Sequence, residues 1–275
     1  MAYTPYEWEC NDIISAAQLN HIERGIQEVN GDYVPYSWVA GDPITASKLN
    51  HIEQGIADAQ GGGGGDHDAE DGIITRGISG VYENSRVTSI GDYAFSSCKN
   101  LTTASFPNVA SIGNYAFQGC SALTTVSFPS VTSIGGYAFY VCSALITASF
   151  PNATSIANYA FRSCSALTTV SFPSATSIGN YAFYGCSALT TVSFPSVTSI
   201  GNQAFQGCSA LITAIFLASS VIKLSGMNAF FDTPMSNSTY TGSFGSIYVP
   251  ASLVDTYKAA NNWSAYKDRI TSYTG

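Results

Sequence analysis

Histidine, cysteine, serine and acidic residues are the side chains that most often carry catalysis, and this chain arranges them in no catalytic pattern. Its three histidines, His21, His51 and His67, lie near no nucleophile in the sequence. It has no Gly-x-Ser-x-Gly elbow for a serine nucleophile. The glycine run at 61–65 follows no predicted strand, so it does not match a phosphate-binding loop. The acids are too scattered for a glycosidase pair. We therefore predict a protein that is not an enzyme and uses no cofactor.

Two short motifs could be interpreted as metal sites. His21 and His51 hold equivalent positions in a duplicated segment, so a trimer would gather three copies of each into a metal site or a pH switch. The alternative is a hydrogen-bonded histidine at the edge of a helix seam. Residues 66–72 carry alternating acids but lack the spacing and final glutamate of a calcium-binding EF-hand loop. A solvated linker explains them better, and we predict no metal site.

Six of the seven cysteines recur at a spacing of 22 residues. One thiol per repeat forms a line, whereas zinc needs a tetrahedron of ligands. A disulfide between neighbouring repeats stays an alternative, because adjacent strands lie ~5 Å apart. The N-terminus lacks the basic and apolar regions of a secretory signal, so we expect a reducing compartment. The sequence predicts a ladder of buried, reduced thiols at Cys98, Cys120, Cys142, Cys164, Cys186 and Cys208.

These cysteines belong to a 22-residue unit that occurs six times between residues 90 and 216. A fixed period of this length is typical of a solenoid, in which each unit, here called a rung, buries its apolar face against its neighbours. In one rung, Leu101, Ala104 and Phe106 predict a first strand, which ends at a proline. Val109 and Ile112 predict a second strand. The remaining inward positions of this rung follow a Gly113-Asn114 turn and are Ala116, Phe117 and Cys120.

The first 60 residues contain a different duplication, at a spacing of 30 residues. Tyr3-x-Pro5-x-x-Trp8 recurs as Tyr33-x-Pro35-x-x-Trp38, and each copy leads into an apolar pattern with steps of three and four. Such a heptad seam predicts a helix that needs partner helices, because a helix of ~15 residues is marginal alone. We predict coiled-coil-like, trimeric modules. The predicted oligomerisation residues are Leu19, Ile22, Ile26, Val29, Leu49, Ile52 and Ile56.

Composition excludes two classes of partner. The net charge is −8, and charged residues make up only 10% of the chain, against about a quarter in ordinary domains. Nucleic-acid binding needs clustered Lys and Arg, so we expect none. No run of 18 apolar residues occurs, and we expect no membrane insertion.

Comparison among the rungs indicates where a binding surface would lie. Core positions hardly change, whereas one position varies as Ser96, Gln118, Tyr140, Arg162, Tyr184 and Gln206. A nearly constant tyrosine lies three residues before it. Tyrosine flanked by variable polar residues is typical of binding surfaces, although the rings could simply stack along the flank. The predicted surface comprises Tyr93, Tyr115, Gln118, Tyr137, Tyr140, Tyr159, Arg162, Tyr181, Tyr184, Gln203 and Gln206.

The rung pattern Leu-x-x-Val-x-Phe-Pro-x-Val-x-x-Ile-x-x-x-Ala-Phe-x-x-Cys resembles the BspA-like leucine-rich repeat, which occurs in bacterial surface and adhesive proteins. The tail, from Ile247 through Trp263 to Ile270, resembles the strand-plus-helix cap of such arrays. The N-terminal units resemble modules at the virion-proximal end of fibres in tailed bacteriophages and prophages.

The sequence thus predicts an α+β chain with five parts. Residues 1–60 form two helical attachment modules, 61–72 a Gly-rich acidic linker and 73–89 an N-terminal cap. Residues 90–216 form a six-rung β-solenoid, and 217–275 form a C-terminal cap.

The resemblances imply a fibre or spike of a phage or prophage particle, exposed on the virion exterior. Residues 1–60 would bind copies of the chain and other virion proteins, and the solenoid would bind a host-surface glycan or protein. The alternatives are a capsid or tail decoration protein without receptor binding, and a bacterial cell-surface adhesin.

Overall fold

The computed structural model describes residues 79–85, 87–236 and 244–274. The predicted helical modules, their seven oligomerisation residues, both paired histidines and the acidic linker lie outside these ranges. In the described ranges, no helix combines the length and hydrophobicity that crossing a bilayer requires.

The described chain is a solenoid. Each rung contributes a first and a second strand, and the strands of successive rungs pair in parallel. The first strands are β1 (Ser79–Glu83), β3 (Asn100–Ser105), β5 (Thr125–Ser127), β7 (Thr147–Ser149), β9 (Thr169–Ser171), β11 (Thr191–Phe194) and β13 (Thr213–Phe216). The second strands are β2 (Ser89–Ile90), β4 (Ser111–Ile112), β6 (Ser133–Ile134), β8 (Ser155–Ile156), β10 (Ser177–Ile178), β12 (Ser199–Ile200) and β14 (Lys223–Leu224). The chain continues through β15 (Ser246–Val249), a 3-10 helix (Ala251–Leu253), α1 (Val254–Ala259), a second 3-10 helix (Trp263–Arg269) and β16 (Ile270–Ser272).

The strands form three parallel sheets. The first strands pair in the orders β1-β3-β5-β7-β9 and β11-β13-β15-β16, and the second strands form one sheet from β2 to β14. Equivalent residues pair along each sheet, so that Thr103 pairs with Thr125 and Ile112 with Ile134. This register confirms the two strands predicted for each rung.

The six-rung count was too small, because the solenoid makes about eight turns. At its start, β1 pairs in parallel with β3, with Tyr82 opposite Ala104. At its end, β15 pairs with β13, and Phe230 stacks on Phe205 at 5.2 Å. These turns do not follow the 22-residue sequence pattern, yet they keep the strand register and the ring contact on which stacking depends.

Two columns of stacked phenylalanines fill the core. The rings of one column, from Phe95 to Phe205, have centroids 4.8–5.4 Å apart. Those of the other, from Phe106 to Phe216, are 5.3–6.4 Å apart. Rings of the two columns meet edge to face or tilted, for example Phe95 and Phe106. Stacked and edge-to-face pairs each contribute about 0.5–1.5 kcal/mol beyond burial.

The C-terminal helices and β16 cover the end of the stack, in agreement with the predicted strand-plus-helix cap. Trp263 is buried against Phe216 and Phe230, with ring centroids 6.0 and 6.2 Å away. Its indole Nε1–H donates to the Ile222 carbonyl at 2.6 Å. The Tyr266 hydroxyl accepts from the Phe230 N–H at 3.1 Å. The cap therefore supplies both apolar cover and hydrogen-bond partners for the last full rung.

Candidate binding surface

The tyrosine column begins the turn that leads from the second strand back to the core. In each rung the variable residue donates its backbone N–H to the carbonyl of the tyrosine three residues earlier. The distances are 3.0 Å for Tyr140 to Tyr137, 3.1 Å for Arg162 to Tyr159 and 3.2 Å for Tyr184 to Tyr181. This turn sets each variable side chain beside a tyrosine ring. The two columns without Ser96 contain the eleven residues predicted above, and these eleven are called the tyrosine flank here.

The tyrosines have left-handed backbone conformations, which are uncommon for residues other than glycine. Their φ angles range from 57° to 61° at Tyr93, Tyr115, Tyr137, Tyr159 and Tyr181. Each backbone N–H donates to a carbonyl of the following rung at 2.9–3.1 Å, for example Tyr137 to Asn158. Hydrogen bonding between rungs therefore holds a conformation that an isolated turn would rarely adopt.

An Asp or Asn precedes the tyrosine position in five of the six repeats, four times before a tyrosine and once before Gln203, and sequence interpretation missed its role. The Asp92 carboxylate accepts the Asn114 N–H at 2.6 Å. The side-chain oxygens of Asn158 and Asn180 accept the next rung's equivalent N–H, both at 2.7 Å. The column thus links successive turns immediately beside the tyrosine flank. The recurring Asp or Asn before tyrosine was the signal that could have revealed it.

The tyrosine rings form one continuous stack. Centroids of successive rings are 4.8, 4.7, 4.4 and 4.7 Å apart, with interplanar angles of 2–9°. Tyr93, at the open end, is 55% exposed, and the other four are half-buried. The tyrosine rings are therefore stacked. Stacking is the alternative to ligand binding that the sequence left open. It leaves part of each of the four inner rings accessible.

Arg162 lies among three tyrosines at the centre of the flank. Its guanidinium carbon is 5.7 Å from the ring centroids of Tyr140 and Tyr159 and 5.1 Å from that of Tyr184. These distances fall within the range of cation–π interaction. Tyr140 and Tyr184 belong to the two adjacent rungs, so they flank the cation on either side along the solenoid axis.

The remaining predicted site residues lie at the two ends of the flank. Gln203 continues the tyrosine column, and its side-chain nitrogen donates to the Gln206 side-chain oxygen. Gln118 is half-buried and two rungs before Arg162. The structure therefore groups Tyr137, Tyr140, Tyr159, Arg162, Tyr181 and Tyr184 into one central cluster, with Tyr93, Tyr115 and Gln118 before it and the two glutamines after it.

The cysteine column is buried, and its side chains are thiols rather than disulfides. Each Sγ from Cys120 to Cys208 donates to a phenylalanine carbonyl of the preceding rung at 3.0–3.2 Å, as Cys164 does to Phe139. Burial raises the pKa of the Cys164 thiol to about 12. A thiol that stays protonated is a poor nucleophile. In the described ranges, no three His, Cys, Asp or Glu residues come together to hold a metal ion.

The described chain is a parallel β-solenoid in which each 22-residue unit buries one leucine and two phenylalanines, as in a leucine-rich-repeat protein. The chain belongs to the BspA type leucine rich repeat family, whose model matches residues 78–186 and 132–251 in six copies. This confirms the resemblance seen in the repeats. No curated protein matches the chain.

Solved leucine-rich-repeat structures are similar to the array. One is a leucine rich cell surface protein of Faecalibacterium prausnitzii, at 27% identity and a TM-score of 0.49 over 70% of this chain and 59% of that one. A T. pallidum leucine rich repeat protein has 26% identity and a TM-score of 0.47 over 54% and 84%. A leucine-rich repeat protein of Bacteroides ovatus has 19% identity and a TM-score of 0.40 over 74% and 71%. The chain thus spans less than two thirds of the F. prausnitzii structure.

Proposed function

We propose that this chain is a non-enzymatic adhesion protein that displays its solenoid at a surface and binds a ligand through the tyrosine flank. One observation carries the proposal. In an array whose core columns hardly change, the largest substitutions between rungs are Tyr140, Arg162 and Tyr184, and the Arg162 guanidinium lies over both of these tyrosine rings and over Tyr159. A purely structural flank has no need to vary there.

A bacterial cell-surface adhesin is the first candidate. It is supported by membership of the BspA type family, because the repeats resemble those of bacterial surface and adhesive proteins. The phosphate-binding, catalytic and metal-binding patterns that would favour an enzyme are missing from the sequence. The raised pKa of the Cys164 thiol also disfavours a cysteine nucleophile.

A phage or prophage fibre is the second candidate, and the duplicated units of residues 1–60 favour it. Their heptad seams predict a trimer that attaches to other virion proteins. In this case the solenoid would project from the virion exterior toward a host-surface glycan or protein. A decoration protein without receptor binding would share the attachment but not the ligand.

Binding by the tyrosine flank can be tested with fluorescently labelled full-length protein and intact bacterial and host cells. We expect the combined variant Tyr140→Ala, Arg162→Ala, Tyr184→Ala to lose cell binding. The matched control replaces an exposed residue of the first strand in the same three rungs, Thr125→Ala, Thr147→Ala and Thr169→Ala, and should bind normally. Equal binding by both variants would mean that the tyrosine flank is structural only.

The two candidates differ in where the protein resides. Gold-labelled antibody against the solenoid should decorate intact producing cells if the chain is an adhesin. It should decorate the ends of induced, purified particles if the chain is a fibre. Labelling distributed over a particle shell would instead support the decoration protein.

A further inference from the structure

Within the described part of the chain, the charged end of the Arg162 side chain lies against aromatic rings. Its guanidinium carries five N–H donors and no acceptor, and no described residue forms an ion pair or a side-chain hydrogen bond with it. Its Nε is buried and has no hydrogen-bond partner. Buried polar atoms are nearly always paired, and an unpaired one calls for an explanation such as a water or an ion.

Within the described solenoid, this cation also has no charged residue near it in the sequence. Between Lys99 and Lys223, Arg162 is the only charged residue in the sequence. The nearest acids along the chain are Asp92 and Asp232, which lie three rungs before and three rungs after it. With ~5 Å between rungs, each is ~15 Å away, which exceeds the screening length of ~8 Å at physiological ionic strength. The described solenoid therefore provides no counter-ion for Arg162.

The rung does not need a charge at this position. Gln118 and Gln206 hold the equivalent position in two other rungs, where the backbone makes the same turn. A neutral amide would therefore preserve the fold. The charge at Arg162 calls for a different explanation, which a ligand provides.

The cluster leaves the ends of the guanidinium accessible. Arg162 is only partly buried, and Nε is its one nitrogen that is both buried and unpaired. The terminal nitrogens are thus the donors that can meet a ligand. The rings of Tyr140 and Tyr184 lie on either side and offer amphipathic faces with hydroxyl groups.

We propose that Arg162 and its flanking tyrosines bind an acidic saccharide. A carboxylate or sulfate would accept hydrogen bonds from the terminal guanidinium nitrogens, the bidentate geometry for which arginine is suited, and sugar rings would lie along Tyr140 and Tyr184. Tyrosine and arginine are also common anchors of protein interfaces, so an acidic protein is the competing ligand, and the test below distinguishes it from a saccharide. This inference rests on the proposed function and names its ligand class.

The test measures binding of full-length protein to immobilised hyaluronan, which carries carboxylates only, dextran sulfate, which carries sulfates only, and neutral dextran. We expect wild-type protein to bind at least one acidic polymer and not to bind neutral dextran. Arg162→Gln should weaken that binding by about tenfold or more, as expected for losing charge-assisted hydrogen bonds. Lys99→Gln removes the same charge from the start of the array and should change the affinity less than about twofold, since rim charges contribute little.

Two further variants separate the charge from the rings and from folding. Arg162→Lys should recover part of the affinity because it keeps the charge but not the planar fork. Tyr140→Leu with Tyr184→Leu should weaken binding to the acidic polymers while Arg162 is intact. Thermal melting of each variant shows whether the array remains folded. A well-folded Arg162→Gln protein that binds as wild type would overturn the proposal.

The outcomes also distinguish this inference from the proposed function. If labelled wild-type protein binds cells but neither acidic polymer binds or competes, the saccharide assignment is wrong and adhesion stands. If poly-L-glutamate binds as well as dextran sulfate in an Arg162-dependent way, the site recognises acidic protein instead, and the assignment is again overturned. If wild-type protein binds no cells, the adhesion function itself is wrong.

Discussion

At the scale of single residues, each rung contains two left-handed positions. One is the tyrosine, and the other follows four residues later and is occupied by Ser97, Gly119, Val141, Ser163, Gly185 and Gly207, with φ between 59° and 72°. Steric room for a side chain does not decide the residue type in this second column. A Cβ built on Gly119 would come no closer than 3.6 Å to Ser97. Backbone strain is therefore the main cost of a side chain there.

Val141 carries most of this strain, because its branched Cβ is poorly compatible with a φ of 59°. We expect Val141→Gly to stabilise the protein by about 1 kcal/mol, since a strained left-handed residue costs ~1–3 kcal/mol and the side chain is 37% exposed. The reverse change, Gly119→Val, should destabilise by a similar amount. Urea unfolding of both variants checks the pair. A loss of stability in Val141→Gly would show that the side chain packs more than its exposure implies.

At the scale of the rung, glycine and asparagine occupy neighbouring positions that depend on the rung below. A Cβ on Gly113, Gly179 or Gly201 would lie 2.4–2.6 Å from atoms of the preceding rung. At Gly113 and Gly179 the Asp92 or Asn158 side-chain oxygen is among the three nearest of those atoms. Ala157 is the exception in this column, and it follows the one rung whose Asn position is glycine, Gly136. The two departures from the repeat therefore compensate for each other.

This compensation predicts a coupled pair of substitutions. Gly136→Asn alone should destabilise, because the new side-chain oxygen would meet the Ala157 Cβ. Combined with Ala157→Gly, the same oxygen can accept the Asn158 N–H, as Asn180 does for Asn202 at 2.7 Å. Thermal unfolding of both single variants and the double variant should give a coupling energy of about 1 kcal/mol or more. Additive changes in the free energy of unfolding would mean that the two side chains do not interact.

The rung was largely predictable from the sequence, whereas its special contacts were not. The 22-residue spacing of Leu101, Phe117 and Cys120 and their equivalents identifies inward positions, since only buried columns must repeat without change. The first and last turns escaped detection because β1 and β14 keep register without keeping residue types. The residues of the candidate surface lie along one flank, as their 22-residue spacing implies, but the grouping of three tyrosines around Arg162 depends on the left-handed turn, which no local pattern indicates. That this flank binds a ligand stays a prediction.

At the scale of the whole molecule, the thiol ladder ties stability to pH. Burial raises the pKa of Cys142, Cys164, Cys186 and Cys208 above the ordinary thiol value, to about 12 at Cys164. Burial also raises the pKa of Tyr266 to about 12. The pKa of each of these groups is higher in the folded state than in the unfolded state. Their full contribution to the free energy of unfolding is therefore present at a pH below the unfolded-state pKa. That contribution is lost as the pH rises toward the folded-state pKa.

We therefore expect the urea midpoint of the full chain to stay constant between about pH 6 and 8 and to fall steadily above ~8.5, the unfolded thiol pKa. The variant Cys142→Ala, Cys164→Ala, Cys186→Ala should start lower, because each site loses a buried S–H···O contact, but its midpoint should fall less between pH 8 and 10.5. Some decline should persist because Cys208 and Tyr266 still titrate. Equal pH dependence in the two proteins would exclude the three replaced thiols as its cause.

The end of the array limits the stability of the whole stack, because each rung is stabilised mainly by its neighbours. Beyond Phe230, the described chain offers no further phenylalanine of the first column, and Trp263 and Tyr266 cover its ring, with centroids at 6.2 and 5.4 Å. An uncovered end would expose apolar rings and the unpaired edge of a parallel sheet. Such edges pair readily with other chains.

Trp263 allows packing and hydrogen bonding at this end to be separated. Trp263→Phe keeps an aromatic ring but leaves the Ile222 carbonyl without its indole donor at 2.6 Å, so it should cost about 1–3 kcal/mol. Trp263→Ala also opens a cavity against Phe216 and Phe230 and should cost about 3–5 kcal/mol. Size-exclusion chromatography with light scattering should then show concentration-dependent association of the alanine variant beyond that of the wild type. Thr256→Ala, at an exposed residue of the same cap, is the control and should change neither melting temperature nor association. If Trp263→Ala melts at a lower temperature without associating further, the exposed sheet edge is protected by something other than this cap.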